Sequence, residues 1–306
     1  MQRTIILTGS NGLLGQKIVP LLAGRPPHRL IATGRGPNRL PFREGYTYVD
    51  LDLLDENGWE DLFAKEQPTD VIHTAAATQV DWCEGAHEKC DAVNIEAVAR
   101  LVERCKRYGT HLVHISTDFV FDGADGPYQE TDTPNPVNYY GQSKLRAEQI
   151  IQESGISAAI LRTMLLYGIT PAMSRSNIVL WVKSSLEKEQ AIRVVGDQVR
   201  CPTLVEDLAI ASVQAMMQRA KGVYHISGAE MMSIIELARK VADFWKLDAS
   251  LIAEIDSASL NQAAKRPPKT GFILLKAQTE LNYKPHSLEE GLQMVSRQMR
   301  ELANGQ

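Results

Sequence analysis

The sequence of 306 residues lacks the features that mark several classes of protein. Aromatic residues make up only 6% of it, and its four cysteines show no close pairing motif. No apolar run approaches the ~20 residues that a membrane-spanning helix needs. The formal net charge of −4 provides no basic surface of the kind that binds nucleic acid. We therefore expect no membrane and no nucleic acid among the main partners of this protein.

Disulfide and metal patterns are absent as well. We interpret the cysteines as reduced thiols, which is typical of a cytoplasmic protein. They are Cys83, Cys90, Cys105 and Cys201. The N-terminal residues lead into a strand-like segment and not into a signal peptide. The seven histidines lack metal-ligand spacing, and His114 falls in a buried-looking strand as a core residue. The sequence predicts a cytoplasmic location and no metal site.

A glycine-rich turn follows the first predicted strand, Thr4 to Thr8, and precedes a helix-like apolar pattern. Its spacing is Gly-x-x-Gly-x-x-Gly. The first glycine permits a tight turn, the second lets the backbone approach a pyrophosphate, and the third lets the helix pack on the strand. The N-terminus of the helix then faces the phosphates. An ordinary strand-to-helix turn is the alternative. We predict cofactor contacts from Gly9, Asn11, Gly12, Leu13, Leu14 and Gly15.

Arg35 follows the second predicted strand. It stands where an NAD-binding site usually has an acidic residue that holds the ribose 2′-hydroxyl. A guanidinium group suits a 2′-phosphate, so Arg35 favours NADP(H) over NAD(H). A solvated loop arginine is the alternative interpretation.

Two more predicted strands end in residues that suit the cofactor. Asp52 can bond the adenine amino group, and Leu53 can pack on the ring. Ala75, Ala76 and Ala77 end a buried strand, and their small side chains let the cofactor lie against the backbone. Close helix packing is the alternative explanation for the alanines.

Strand and helix patterns alternate through the first half of the chain. This alternation predicts an α/β fold with a Rossmann-type, doubly wound parallel sheet. The less regular second half predicts a smaller C-terminal substrate lobe. We expect a dinucleotide-binding domain over residues 1–165, with 203–227 returning to it, and the smaller lobe over 166–202 and 228–306. Ligands of such sheets lie beyond the carboxyl ends of the strands.

Tyr140 and Lys144 are four residues apart, so on a helix they share one face. The reference pKa of a phenol is about 10, and a nearby ammonium group lowers it toward the range useful for proton transfer. Thr117 ends a strand where it can meet Tyr140 and donate to a substrate carbonyl oxygen. Asn94, on a helix predicted from His87 to Tyr108, is a candidate polar contact nearby. A surface helix that happens to carry Tyr and Lys on one face is the alternative.

Together these residues resemble the extended short-chain dehydrogenase/reductase family. Its Thr-Gly-x-x-Gly-x-x-Gly motif is matched by Thr8 to Gly15, and its Tyr-x-x-x-Lys motif by Tyr140 and Lys144. Within the family, four segments are similar to the dTDP-4-dehydrorhamnose reductases. They are Ser116 to Gly123, Tyr140 to Leu145, Pro202 to Ala209, and Arg266 with Pro267.

The resemblance implies an NAD(P)-dependent oxidoreductase that reduces a 4-keto-6-deoxy sugar nucleotide, as in dTDP-L-rhamnose synthesis. In such an enzyme Tyr140 protonates the forming alkoxide, Lys144 lowers the pKa of Tyr140 and holds the nicotinamide ribose, and Thr117 bonds the carbonyl oxygen. The implied substrate contacts are Thr117, Asp118, Arg200 and Arg266. The resemblance also allows a homodimer and a magnesium ion at a dimer contact, for which the sequence assigns no ligands.

Two alternatives stay open within the same superfamily. The regulatory β subunits of methionine adenosyltransferase are similar around Leu165 to Gly168 and Tyr224 to Gly228. They keep the nucleotide fold and a Tyr-x-x-x-Lys motif but serve as binding partners. The other alternative is a reductase or epimerase that acts on a different nucleotide sugar.

Overall fold

Short apolar and β-branched segments of the chain form the strands. The computed structural model describes residues 2–173 and 175–304. Within these ranges the strands are β1 (Thr4–Thr8), β2 (Arg29–Gly34), β3 (Thr47–Asp50), β4 (Asp70–His73), β5 (His111–Thr117), β6 (Ala158–Thr163), β7 (Leu166–Tyr167), β8 (Ile192–Val195), β9 (Val199–Arg200), β10 (Thr203–Leu204), β11 (Gly222–His225), β12 (Met232–Ser233) and β13 (Ile252–Ile255).

Seven of these strands form one parallel sheet, in the order β11-β6-β5-β4-β1-β2-β3. Ile5 of β1 lies beside Leu30 on one side and Asp70 on the other. The chain runs outward from β1 to β3 and then returns to β4, so the strand order reverses between β1 and β4. Open α/β sheets bind ligands at such a switch point. The predicted doubly wound parallel sheet is confirmed.

Helices connect the strands and cover both faces of the sheet. In the described ranges they are α1 (Leu13–Leu22), α2 (Glu56–Glu66), α3 (Val80–Gly85), α4 (His87–Asp91), α5 (Ala97–Tyr108), α6 (Tyr139–Glu153), α7 (Ile178–Leu186), α8 (Val205–Met217), α9 (Ile234–Phe244), α10 (Leu275–Glu280) and α11 (Leu288–Ala303). A π-helical turn over Ala92–Glu96 joins α4 to α5. The helix predicted from His87 to Tyr108 is therefore present with one irregular turn at Asn94.

The start of α6 is fixed by its cap. The Asn138 side chain accepts a hydrogen bond from the Gly141 N–H at 2.8 Å, which satisfies a backbone donor that the first turn leaves free. The same side chain donates to the Lys265 carbonyl oxygen at 2.7 Å. Tyr140 therefore lies in the first turn of α6, and Lys144 lies one turn later on the same face.

Apolar side chains form cores on both faces of the sheet and a further core in the second half of the chain. The further core includes Tyr167, Val182 and Leu237, and three two-stranded sheets accompany it: β7 with β10, β8 with β13, and β9 with β12. α8 packs on α1, and β11 closes one end of the central sheet. The division of the chain into two lobes at the predicted boundaries stays a prediction. No helix in the described part of the chain is long and apolar enough to span a membrane.

Candidate active site

A cleft of about 880 Å³ opens at the carboxyl edge of the sheet, beside the switch point. It brings together fifteen of the residues that the sequence predicts for the site. They are Gly9, Gly12, Leu13, Leu14, Gly15, Arg35, Asp52, Leu53, Ala75, Ala76, Ala77, Thr117, Asp118, Tyr140 and Lys144. Four predicted residues do not line the cleft: Asn11, Asn94, Arg200 and Arg266.

The glycine turn forms a close-fitting cradle at one end of the cleft. Gly9 has a left-handed backbone with φ of 69°, and a Cβ there would lie 2.7 Å from the Thr74 Oγ1. A Cβ on Gly15 would overlap the carbonyl oxygen of Gly9. No side chain caps the N-terminus of α1, so its first N–H groups are available at the cleft. The turn therefore fits the pyrophosphate of a dinucleotide.

Asn11 holds the loop after β2 with its side chain. Its Nδ2 donates to the Tyr48 hydroxyl at 2.9 Å and to the Pro37 carbonyl oxygen at 3.1 Å, and its Oδ1 accepts the Arg39 N–H at 2.9 Å. These bonds occupy the amide away from the cleft. The cofactor contact of Asn11 stays a prediction, and its side chain positions the segment around Arg35.

A cation and a carboxylate face each other at the outer end of the glycine cradle. Arg35 Nη1 lies 3.8 Å from Asp52 Oδ2, and the two side chains are 85% and 44% exposed. Trp59 Nε1 donates to the Asp52 carbonyl oxygen at 3.0 Å and fixes the backbone there. A pair this exposed is weak, so both groups are free to turn toward a ligand.

Tyr140 is 8% exposed, and the Thr117 side chain lies beside its hydroxyl. Thr117 also donates to Asp118 Oδ1 at 3.2 Å and accepts the Phe119 N–H at 3.2 Å. Burial raises the pKa of the Tyr140 hydroxyl above its ordinary value, and the Thr117 side chain opposes that rise. The phenol is therefore protonated at neutral pH.

Lys144 is also buried, at 2% exposure, and its Nζ donates two hydrogen bonds to acceptor atoms on β5. The acceptors are the Ile115 carbonyl oxygen at 2.8 Å and His114 Nε2 at 3.1 Å. Burial lowers the pKa of Lys144 to about 8. That Lys144 lowers the pKa of Tyr140 stays a prediction: burial is the largest influence on the pKa of the phenol in this structure, and it raises that pKa.

Asn94 links the end of β4 to α6. Its Oδ1 accepts the Ala77 N–H at 2.9 Å, and its Nδ2 donates to the Ala77 carbonyl oxygen at 3.1 Å and to Ser143 Oγ at 3.0 Å. The π-helical turn places this amide between the two elements, with no solvent exposure. Asn94 therefore sets the distance between the alanine segment and the helix that carries Lys144.

Arg200 and Arg266 anchor the C-terminal loop, residues 264–270. Arg200 is 4% exposed; its Nε lies 3.3 Å from Asp118 Oδ2, and its Nη2 donates to the Pro267 carbonyl oxygen at 2.6 Å. Arg266 binds both carboxylate oxygens of Asp81 at 2.7 Å. The substrate contacts of both arginines stay predictions, and in this structure their guanidinium groups bond other protein groups and do not line the cleft. Asp118 lines the cleft, but burial raises its pKa and its Oδ2 faces Arg200.

The far end of the cleft is lined by residues that the sequence patterns did not mark as site residues. Trp82 on α3 is 39% exposed, and Leu165 has a left-handed backbone with φ of 41°. Met173 and Arg175 also line this end, and Arg175 Nη1 donates to Thr78 Oγ1 at 3.3 Å. Trp82 and Met173 belong to no motif and no regular period, so the sequence carries no signal for them, whereas Leu165 starts the segment that resembles the regulatory β subunits.

Metal ligands and disulfides are not found among the residues that the structure describes. No group of three or more His, Cys, Asp and Glu side chains in those ranges is arranged to hold a metal ion. The magnesium ion that the resemblance allows therefore gains no support. The four cysteines are free and buried.

Comparison with known proteins gives the family. The model of the RmlD substrate binding domain matches residues 3–301. The chain belongs to this family. The structure of dTDP-4-dehydrorhamnose reductase from Bacillus anthracis in complex with NADP superimposes on this RmlD-family chain with a TM-score of 0.83 and 27% identity, covering 97% of this chain and 100% of that one.

Two relatives of the RmlD-family chain carry different names. Methionine adenosyltransferase 2 subunit beta of Bos taurus is 31% identical over 270 residues, 87% of this chain and 78% of the relative. The probable low-salt glycan biosynthesis reductase Agl14 of Haloferax volcanii is 29% identical over 293 residues, 94% of this chain and 95% of the relative. The predicted class, an NAD(P)-dependent oxidoreductase of the extended short-chain dehydrogenase/reductase type, is confirmed.

Proposed function

We propose that the protein reduces a 4-keto-6-deoxy sugar nucleotide with NADPH, in the manner of dTDP-4-dehydrorhamnose reductase. One observation carries this proposal. Tyr140, Thr117 and Lys144 lie together in a single cleft that starts at the glycine cradle and continues past them to Trp82. A cofactor at one end and a substrate at the other would meet beside the Tyr140 hydroxyl.

The residues of the chain have distinct tasks in this reaction. The nicotinamide, when bound, supplies the hydride. Thr117 Oγ1 holds the carbonyl oxygen, and the Tyr140 hydroxyl gives its proton to the oxygen as negative charge develops there. Burial keeps Tyr140 protonated, which is the form that a proton donor needs. The Lys144 ammonium group adds a positive charge on the same face of α6, beside the bound ribose.

NADPH is the cofactor that we propose, with NADH as the weaker one. The Arg35 guanidinium is 85% exposed at the rim of the cleft and can reach a 2′-phosphate. The relative from Bacillus anthracis was solved in complex with NADP. Asp52 supplies a carboxylate at the same end, which suits the 2′-hydroxyl of NADH.

The far end of the cleft suits a nucleotide sugar. Trp82, Leu165 and Met173 offer apolar walls for a base and a deoxysugar, and Arg175 offers a cation for the diphosphate. A homodimer and a cytoplasmic location stay predictions.

The test is oxidation of NADPH, followed at 340 nm, by the purified protein with a 4-keto-6-deoxy sugar nucleotide. We expect Tyr140→Phe to lose about 10²–10⁴-fold in kcat, the usual contribution of a positioned proton donor. Tyr139→Phe is the matched control, because the Tyr139 hydroxyl bonds Asp91 at 2.7 Å and its side chain does not line the cleft. Equal rates for Tyr140→Phe and the unaltered protein would contradict the proposal.

A regulatory subunit of methionine adenosyltransferase is the second candidate, favoured by the 31% identity to the bovine β subunit. Such a protein would bind the dinucleotide but show no turnover with any 4-keto sugar nucleotide. It would also co-elute with a methionine adenosyltransferase catalytic subunit in size-exclusion chromatography. Turnover without co-elution supports the reductase, and co-elution without turnover supports the regulatory subunit.

A further inference from the structure

Two buried histidines lie behind Lys144 on neighbouring strands of the sheet. His114 on β5 and His73 on β4 are 0% and 1% exposed, and their rings stack with centroids 5.3 Å apart. His114 Nε2 lies 3.1 Å from Lys144 Nζ, and the Ile115 carbonyl oxygen lies 2.8 Å from the same atom. Because Lys144 is buried, these two acceptors take the place of water around its ammonium group.

The hydrogen bonds fix the tautomer of each ring. The Thr8 hydroxyl oxygen accepts the backbone N–H groups of Thr74 at 3.1 Å and Ala75 at 3.2 Å. Its own proton therefore points to His73 Nδ1, 2.8 Å away, and His73 carries its proton on Nε2. An ammonium group can only donate, so His114 accepts at Nε2 and carries its proton on Nδ1. Burial lowers the pKa of both histidines, that of His73 to about 3, so both rings are neutral.

Two neutral acceptors and one nearby carboxylate, Glu148, surround the charge of Lys144. Glu148, one turn further along α6, is engaged with Arg162, whose Nη2 lies 2.7 Å from Glu148 Oε2. Tyr140 on α6 and Cys90 on α4 are the other titratable groups around Lys144. Burial is the largest influence on the pKa of Lys144 and lowers it. The charge of Glu148 opposes that fall, and the two hydrogen bonds on β5 hold the ammonium group in place.

We propose that His114 is a positioning residue for Lys144: its buried, neutral ring accepts at Nε2 and holds the ammonium group against β5. A protonated His114 would place a cation against the ammonium group. A side chain without an acceptor would leave Lys144 with the Ile115 carbonyl oxygen alone. The consequence for turnover rests on the proposed function, but the effect on the lysine does not.

The test compares two substitutions of His114. His114→Met removes the acceptor at similar volume, and His114→Gln returns an acceptor oxygen near the position of Nε2. The titration of Lys144 is followed by NMR with lysine labelled at 13Cε, and its signal is assigned by its loss in Lys144→Met. We expect the apparent pKa of Lys144 to fall by about one unit in His114→Met, because the charged form loses a hydrogen bond. His114→Gln should return the pKa of Lys144 to its value in the unaltered protein.

Further variants control for folding. His111→Met removes an equally buried histidine of β5 that bonds Ser157, and it should leave the Lys144 titration unchanged. His114→Asn, whose amide is too short to reach Lys144, repeats the test with a polar side chain and should behave like His114→Met.

Activity measurements separate this proposal from the proposed function. In an active enzyme, the fall of kcat/KM at high pH should move to lower pH in His114→Met by the same amount as the Lys144 titration. Identical Lys144 titrations in the unaltered protein and in His114→Met overturn the positioning role, whatever the activity. A shifted titration in a protein without turnover supports the positioning role and overturns the proposed reduction instead.

Discussion

The two ends of the cleft are built in different ways. The cofactor end comes largely from one continuous stretch, Gly9 to Gly15, whose shape is set by close backbone contacts. The far end is assembled from Trp82, Leu165 and Arg175, and ion pairs anchor the nearby C-terminal loop. Local geometry therefore determines the first end, whereas long-range pairing supports the second. Substitutions at the cofactor end should therefore weaken cofactor binding. Substitutions of the ion pairs near the far end should instead lower the stability of the fold.

The largest effect is expected from Arg200→Met, because it leaves the buried Asp118 carboxylate without its cation. Breaking one side of a buried pair costs about 3–5 kcal/mol, so the urea midpoint of unfolding should fall strongly. Arg266→Gln is the matched comparison: its partner Asp81 is 47% exposed, and such a pair contributes about 0–1 kcal/mol.

Kinetic measurements distinguish a loop anchor from a substrate contact at Arg200 and at Arg266. If they are anchors, the folded Arg266→Gln variant keeps the KM for the sugar nucleotide. A large rise in that KM at unchanged stability would instead show that Arg266 contacts the substrate, as the sequence predicted. In Arg200→Met, adding Asp118→Asn should recover part of the lost stability, because the uncompensated charge is then removed.

The next effect is expected from Gly15→Ala. A Cβ at this position overlaps the Gly9 carbonyl oxygen, and overpacking of this kind costs about 1–3 kcal/mol. We expect the Kd for NADPH to rise about 10–100-fold in a fluorescence titration. Gly85→Ala is the control, because a Cβ on Gly85 meets no atom within 4 Å. Equal affinities of the two variants would mean that the glycine cradle does not hold the cofactor.

The smallest effect is expected from Arg35→Ala. Losing one charge-assisted hydrogen bond to a 2′-phosphate costs about 1.5 kcal/mol, so KM for NADPH should rise about tenfold. KM for NADH should hardly change, because NADH has no phosphate there. Arg39→Ala, in the same loop but not lining the cleft, is the control. Equal changes in KM for NADPH and for NADH would mean that Arg35 does not discriminate between the two cofactors.

The sequence predicted the features that depend on neighbours in the chain. The glycine spacing identified the cradle, and the spacing of Tyr140 and Lys144 placed both on one face of α6. The direction of the pKa shift of Tyr140 was not predictable, because it depends on burial by elements distant in sequence. For the same reason the anchoring role of Arg200 was not predictable, since its partners at Asp118 and Pro267 are known only once the chain is folded.

The position of β11 has a consequence for how the protein is made. This strand, Gly222–His225, pairs with β6, so a nascent chain that has not reached it exposes the backbone donors and acceptors of β6. Unpaired strand edges of this kind are sites of aggregation. A fragment cut between β6 and β11 should therefore associate with other chains rather than remain a free-standing module.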